Sequence, residues 1–114
     1  MRPEFKHNPI GFLLMASYAY YNLGAVHIME DYEFDELARY YWENKDQFKS
    51  HQHFHLIPSH WGEHGSSGLE FYPADLPNIV KSATVGYLKR TDRSQFELAK
   101  DYIDDPMILQ IYYD

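Results

Sequence analysis

The sequence contains one uncharged stretch of 20 residues, at positions 10–29, and this stretch constrains the fold more than any other feature. Its length reaches the roughly 20 apolar residues that a helix needs to span a bilayer. The stretch also contains Ser17, Asn22 and His27, however, and its basic flank consists of only Arg2 and Lys6. We therefore expect a helix buried inside a small bundle, which favours the same composition, and no membrane segment.

Start and stop signals bracket this first helix. Asn8 followed by Pro9 is typical of a helix start, because an Asn side chain can cap the helix and proline is favoured at the first helical position. Gly24 is typical of the residue that follows the last turn. The sequence therefore predicts a central helix at about residues 9–23, followed by a short connection at residues 24–30.

A second helix is predicted from an apolar stripe with the spacing i, i+3, i+4, i+7 and i+8. Asp31 is its expected N-cap residue, and the acidic residues around it suit the positive end of the helix dipole. We expect this helix to end between residues 44 and 50. The stripe consists of Phe34, Leu37, Ala38, Tyr41 and Trp42.

Helical periodicity is lost between residues 51 and 73, where proline and glycine recur. This segment is predicted to be a long ordered loop, with short extended pieces at residues 54–57 and 69–72. A loop of this length in a small domain is usually functional or mobile.

Residues 74–114 predict the remaining helices. Asp75 is the expected cap of a third helix, a fourth runs over about residues 93–104, and the apolar stretch at residues 107–111 is expected to pack back as a turn of helix. The whole chain, residues 1–114, is thus expected to form one all-α domain, a small bundle of about four helices with a helical hairpin at residues 9–50 and C-terminal helices at residues 74–114. The expected buried face of the third helix consists of Leu76, Ile79, Val80, Ala83, Tyr87 and Leu88.

Charge and cysteine content exclude several classes of protein. The chain has 10 basic and 17 acidic residues, a formal net charge of −7, so we expect no direct binding to a nucleic-acid backbone. The absence of cysteine excludes disulfides, thiolate zinc sites and cysteine nucleophiles. It also fits a cytoplasmic location, which is our expectation.

The connection between the first two helices resembles a known family. Tyr21-Asn22, an eight-residue gap and then Asp31-Tyr32-Glu33-Phe34-Asp35-Glu36-Leu37 are similar to the N-terminal Ia domain of NAD-dependent DNA ligases. That family shows a Tyr-His pair, an eight-residue connection and Asp-x-Glu-Tyr/Phe-Asp-x-Leu, and the resemblance covers about residues 18–41. The resemblance implies a domain that binds the nicotinamide mononucleotide (NMN) half of NAD.

The resemblance also implies roles for individual residues. Tyr21 would stack on the nicotinamide ring, and Asn22 stands where the family has a histidine near the phosphate. Asp31 and Asp35 would meet ribose and carboxamide groups, with Phe34 at an aromatic position that is often tyrosine. The spacing suits this task, because residues at i, i+3 and i+4 lie on one side of a helical turn.

The chain contains no Lys-x-Asp-Gly motif, the signature of the adenylation domain in that family. We therefore expect a stand-alone nicotinamide-nucleotide-binding module with no catalysis of its own, acting as a binder or as an accessory to a partner protein. The alternative is a small acidic interaction protein, for example a phage-encoded inhibitor that offers carboxylates to the basic groove of a nucleic-acid enzyme.

Histidines and a serine-rich turn give weaker signals. His51, His53 and His55 alternate, so an extended strand would place three imidazoles on one side as weak candidates for a metal site. The sequence His60-x-x-Glu63-His64 spells the inverted zinc-protease motif, but the glycines and proline around it argue against the helix that this chemistry needs. We therefore expect no metal catalysis, although a metal-dependent hydrolase stays an open third hypothesis. The segment Ser66-Ser67-Gly68 could place backbone N–H groups around an anion.

Overall fold

The computed structural model describes residues 1–65 and 69–114 and confirms the all-α fold class. It contains six α-helices where about four were predicted, because the short first helix was not expected and the last apolar stretch forms a full helix. Within the described ranges there is no β-strand. The helices are α1 Pro3–His7, α2 Pro9–Asn22, α3 Asp31–Glu43, α4 Asn78–Thr91, α5 Arg93–Ala99 and α6 Pro106–Tyr113, with 3₁₀ turns at Lys45–Phe48, Phe54–Leu56, Pro73–Asp75 and Lys100–Tyr102.

The chain forms two compact units. The first unit consists of Met1–Leu14 and Met29–Leu69, and the second consists of Met15–Ile28 and Glu70–Asp114. Helix α1 packs against α3 in the first unit, whereas α4 packs against both α5 and α6 in the second. Helix α2 contributes its first half to one unit and its second half to the other.

The signals predicted for α2 are confirmed at both ends. The Asn8 side chain accepts a hydrogen bond from the Gly11 N–H at 3.1 Å. At the other end Gly24 adopts a φ of 74°, and the Ala25 N–H donates to the Tyr20 carbonyl at 3.0 Å, the 6→1 bond of a Schellman motif. From Pro9 to Ala19 every residue except Phe12 is buried, as an apolar central helix requires.

Among the described residues, no helix combines the length and the apolar character that crossing a membrane demands.

Helix α3 begins one residue earlier than a cap at Asp31 implies, so the expectation that Asp31 is the N-cap is wrong. The N-cap residue is Glu30, which has extended backbone angles, and Asp31 is the first helical residue. The reason is a capping box: the Glu33 carboxylate accepts the Glu30 N–H at 3.0 Å. The same carboxylate receives two hydrogen bonds from the Arg2 guanidinium, at 2.9 and 3.0 Å, so Glu33 is paired although it is buried.

The expected cap of α4 is also wrong. Asp75 lies in the 3₁₀ turn Pro73–Asp75, and α4 starts at Asn78. The cause is Pro77, because a proline disfavours helical angles in the residue before it, and Leu76 is extended with φ −91° and ψ 137°.

The buried face of α4 differs from the predicted one as well. Ile79 and Ala83 are exposed, whereas Thr84 and Val85 are buried. Tyr112 of α6 lies close to Gly86, where an added Cβ would come within 3.2 Å of its hydroxyl oxygen. The partner helix therefore determines which side of α4 is covered, and the apolar periodicity of α4 alone did not reveal it.

The C-terminal helices are held by caps and by one aromatic stack. Asp92 accepts the Gln95 N–H at 3.2 Å to start α5, and Asp105 accepts the Met107 N–H at 2.9 Å to start α6. Helix α5 ends at Ala99, before the predicted end near residue 104. Helix α6 packs back through Tyr113, whose ring stacks on Phe96 at 4.1 Å and whose hydroxyl donates to the Phe96 carbonyl at 2.6 Å.

The loop after α3 begins with the 3₁₀ turn Lys45–Phe48. The extended piece expected at residues 54–57 is wrong, because Phe54–Leu56 is a 3₁₀ turn. Residues 69–72 have no regular secondary structure.

Candidate functional site

One side of α3 forms a wall of an open hollow in the first unit. The hollow has a volume of about 410 Å³, which lies within the range of roughly 300–1,000 Å³ typical of ligand sites. The residues that α3 contributes are spaced at i, i+4, i+7 and i+8, so they form one stripe on the helix surface. The lining residues are Asp35, Arg39, Trp42 and Glu43 from α3, and Gly62, Glu63 and Gly65 from the following loop.

Glycine allows the loop to approach α3 closely. Gly62 and Gly65 pair across a tight turn and both have positive φ angles, 93° and 114°. A Cβ on Gly62 would lie 3.4 Å from the Ala38 carbonyl oxygen and 3.4 Å from Trp42 Cβ, so the loop backbone is already in contact distance of the helix. Trp61 fixes the same loop, because its ring meets Phe34 edge-on at 5.9 Å.

Among the lining residues that the structure describes, three are acidic and one, Arg39, is basic. Asp35, Glu43 and Glu63 provide three carboxylates against the guanidinium of Arg39. Glu63 is oriented by His60, whose Nδ1 lies 3.1 Å from Glu63 Oε2. Such a lining favours a ligand with a positive charge and hydroxyl or amide donors.

Trp42 gives the hollow an aromatic wall. The Lys45 ammonium lies 4.6 Å from the centre of the indole ring and also donates to the Ser59 carbonyl. This double contact ties the loop to the end of α3 and holds the indole in place.

Three of the residues that the family resemblance singled out lie in the first unit. Asp35 lines the hollow, and the Phe34 ring meets the Trp61 ring edge-on at 5.9 Å. Asp31 is exposed, one helical turn before Asp35 on the same stripe, and is not part of the lining.

The other two belong to the second unit. Tyr21 is exposed, and its ring meets Tyr20 edge-on at 5.1 Å. The Asn22 amide donates to the Phe71 carbonyl at 3.4 Å. The stacking role of Tyr21 and the phosphate-side role of Asn22 remain predictions.

The histidines at positions 51, 53 and 55 do not form the strand that would align them. His51 uses both ring nitrogens: Nδ1 accepts the His53 N–H at 3.0 Å, and Nε2 lies 3.0 Å from the Asn8 side-chain oxygen. His55 lies in the 3₁₀ turn and is exposed. Among residues 1–65 and 69–114, no group of three His, Asp or Glu side chains is arranged to hold a metal ion.

Two further sequence patterns remain, the inverted zinc-protease motif and the serine-rich turn. The segment around His60 and His64 forms turns, so no helix aligns the inverted zinc-protease motif. The expected anion turn at Ser66-Ser67-Gly68 lies outside the described residues.

Most residues of the hollow were not predicted as site residues. The sequence pattern places Trp42 on the apolar stripe of α3 and does not single out Arg39 or Glu43. The spacing of Asp35, Arg39 and Glu43 at four-residue intervals was visible in the sequence. What the sequence did not show is that the glycine turn returns against this side of the helix.

Comparison of the chain with protein-family models, with curated proteins and with solved structures finds no match in any of the three.

Proposed function

We propose that the protein binds a nicotinamide nucleotide, NMN or NAD, in the hollow beside α3 and has no catalytic activity of its own. The observation that carries this proposal is the position of Asp35. The family resemblance gives this residue a ligand contact, and it lines a hollow of suitable volume together with an indole ring and both signs of charge.

The lining chemistry suits the parts of such a ligand. Carboxylates accept hydrogen bonds from ribose hydroxyls and from a carboxamide NH₂. The oxidised nicotinamide ring is cationic, so acidic groups and the face of Trp42 would attract it, with a cation–π contribution of about 0.5–2 kcal/mol. Arg39 provides a guanidinium for the phosphate.

A module of this kind would act with another protein. Without the Lys-x-Asp-Gly motif it would hold the nicotinamide half while an adenylation domain on a partner performs the chemistry. The cysteine-free composition supports a cytoplasmic location for this activity.

Calorimetric titration with NMN tests the proposal. We expect a dissociation constant in the micromolar-to-millimolar range and at least a tenfold weakening in Asp35→Asn, because the neutral amide loses the charge and one acceptor. Asp101→Asn is the matched control, since Asp101 is exposed and lies in the second unit. Tyr21→Ala tests separately the stacking role that the resemblance gives to this ring.

Two results would contradict the proposal. One is the absence of heat and of a thermal shift with millimolar NMN. The other is binding that Asp35→Asn leaves unchanged, which would place the ligand elsewhere.

A second function is favoured by the exposed start of α3. Glu30, Asp31 and Asp35 are exposed, and Tyr32 beside them is 68% exposed, a combination of charge and aromatic surface that suits a protein interface. The second candidate function is therefore that of an acidic inhibitor of a nucleic-acid enzyme. Salt-sensitive binding to a basic nucleic-acid enzyme, weakened in an Asp31→Asn/Asp35→Asn variant and accompanied by no response to NMN, would favour it over the nucleotide site.

A further inference from the structure

One stripe of α3 gives the hollow most of its charge. Asp35, Arg39 and Glu43 follow one another at four-residue intervals, and all three are exposed and line the hollow. Side chains at this spacing are neighbours on a helix surface, with roughly 5–6 Å between their Cβ atoms. The Arg39 guanidinium therefore has one carboxylate on the turn before it and another on the turn after it.

The facing loop adds a third carboxylate, that of Glu63. The described lining thus contains three acidic residues and one basic residue, a formal net charge of −2. The residues at positions 66–68, outside the described ranges, are Ser, Ser and Gly in the sequence and carry no side-chain charge. They leave this charge unchanged.

Charged residues beside the lining do not reverse its sign. The Lys45 ammonium, 4.6 Å from the centre of the Trp42 ring, adds one positive charge. Asp31, one turn before Asp35, adds one negative charge. Over the whole first unit, five Lys and Arg residues stand against nine Asp and Glu residues. The surroundings of the hollow are therefore acidic as well.

Two histidines face the Glu63 carboxylate. His60 Nδ1 lies 3.1 Å from Glu63 Oε2, and His64 Nε2 lies 3.8 Å from Glu63 Oε1. Histidine side chains gain a positive charge as the pH falls through the range of about 8 to 5. Acid therefore adds positive charge at this edge of the hollow, whereas a mildly alkaline solution preserves the net charge of −2.

A phosphate group meets an unfavourable balance of charge in this hollow. Arg39 attracts it, but the three carboxylates repel it. A phosphate monoester carries about two negative charges above its second pKa of about 6, so NMN has a net charge of about −1 despite its cationic ring. Nicotinamide riboside is the same molecule without the phosphate and has a net charge of about +1, because only the ring charge remains.

We propose that the hollow selects the cationic nicotinamide nucleoside and leaves the phosphate in solvent, so that nicotinamide riboside binds more tightly than NMN. This selection rests on the proposed function, because it requires the nicotinamide ring to lie in the hollow beside Trp42. The carboxylates and the indole face attract the ring. The open side of the hollow leaves the phosphate in contact with water, so that its charge stays solvated.

Calorimetric titrations with nicotinamide riboside and with NMN, at about pH 8 and low salt, test the selection. Low salt keeps the screening of exposed charges small. We expect the riboside to bind at least threefold more tightly than NMN. Ribose 5-phosphate, which has the phosphate of NMN but no ring, is expected to give no heat.

A charge reversal at an exposed lining position tests whether the hollow is the cause. Glu43→Lys leaves two acidic and two basic residues in the described lining and places a second cation one turn from Arg39. We expect it to invert the order, so that NMN binds at least threefold more tightly than the riboside. Asp101→Lys is the matched control: it changes the net charge equally at an exposed residue outside the lining, and the order stays that of the unmodified chain. Circular dichroism shows that both variants are folded.

The outcomes separate this selection from the proposed function. If NMN binds to the unmodified chain as tightly as the riboside or more tightly, or if ribose 5-phosphate binds, the selection is overturned and the proposed function stands. Inversion by both lysine variants, or by neither, overturns the assignment of the selection to the hollow. The absence of heat with both the riboside and NMN overturns the proposed function, and the selection with it.

Discussion

At the scale of single residues, Tyr41 carries a buried hydroxyl without a hydrogen-bond partner among the residues that the structure describes. The side chain is 0% exposed, and burial raises the pKa of its phenol. We expect Tyr41→Phe to raise the free energy of unfolding by about 1 kcal/mol, because an unsatisfied buried polar group costs roughly that much or more. Urea unfolding measures this, and a loss of stability in the variant would reveal a partner for the hydroxyl.

His51 links the loop to the start of α2 in one protonation state. Nδ1 accepts the His53 N–H, so the proton is on Nε2, which donates to Asn8; the same Asn8 oxygen caps α2 through Gly11. A proton added at Nδ1 would remove the acceptor that His53 uses. The neutral imidazole is therefore the form that this contact set accommodates.

The pH dependence of stability follows from this arrangement. Burial, together with the nearby His53, lowers the pKa of the His51 imidazole below its ordinary value of 6.5. The unfolded chain then takes up the proton first, so this contribution to stability is complete above about pH 6.5 and is lost as the pH falls through the lowered pKa. We expect the melting temperature to fall less between pH 7.5 and 5.5 in His51→Gln than in the unmodified chain. His55→Gln, at an exposed position, serves as the control, and an equal effect of both exchanges would contradict the assignment to His51.

At the scale of elements, the end of α2 depends on a glycine for two separate reasons. Gly24 has a φ of 74°, and an added Cβ would lie 2.3 Å from the Tyr102 ring. We expect Gly24→Ala to reduce the free energy of unfolding by more than the 1–2 kcal/mol or so that left-handed backbone costs an ordinary residue. Gly65→Ala is the control, because Gly65 has a φ of 114° but no described residue beyond its chain neighbours lies within 4 Å of an added Cβ. Equal losses in the two variants, measured by urea unfolding, would show that the Tyr102 contact is irrelevant.

The helix ends divide into those that local sequence predicts and those that it does not. Asn8 and Gly24 act through bonds within a few residues, so their roles could be predicted. At α3 several acidic residues compete for the cap. Glu33 accepts the Glu30 N–H there, and Arg2, which lies 31 residues away in sequence, pairs with the same Glu33 carboxylate.

At the scale of the whole molecule, the two compact units separate the predicted nucleotide residues. Asp31, Phe34 and Asp35 belong to the first unit, and Tyr21 and Asn22 to the second. The proposed function rests on Asp35 and the hollow of the first unit alone.

Periodicity, capping residues and composition were enough to predict the all-α class, the buried α2, the stripe of α3 and the packing helix α6, because each depends on contacts between neighbours in sequence or on average polarity. The tertiary structure decided the rest. The hollow beside Asp35 exists because the Gly62 turn returns towards α3, and the contact of Tyr112 with Gly86 shows which side of α4 the last helix covers. Both depend on where distant segments meet, and a repeat of 3.6 residues carries no information about which partner covers which side of a helix.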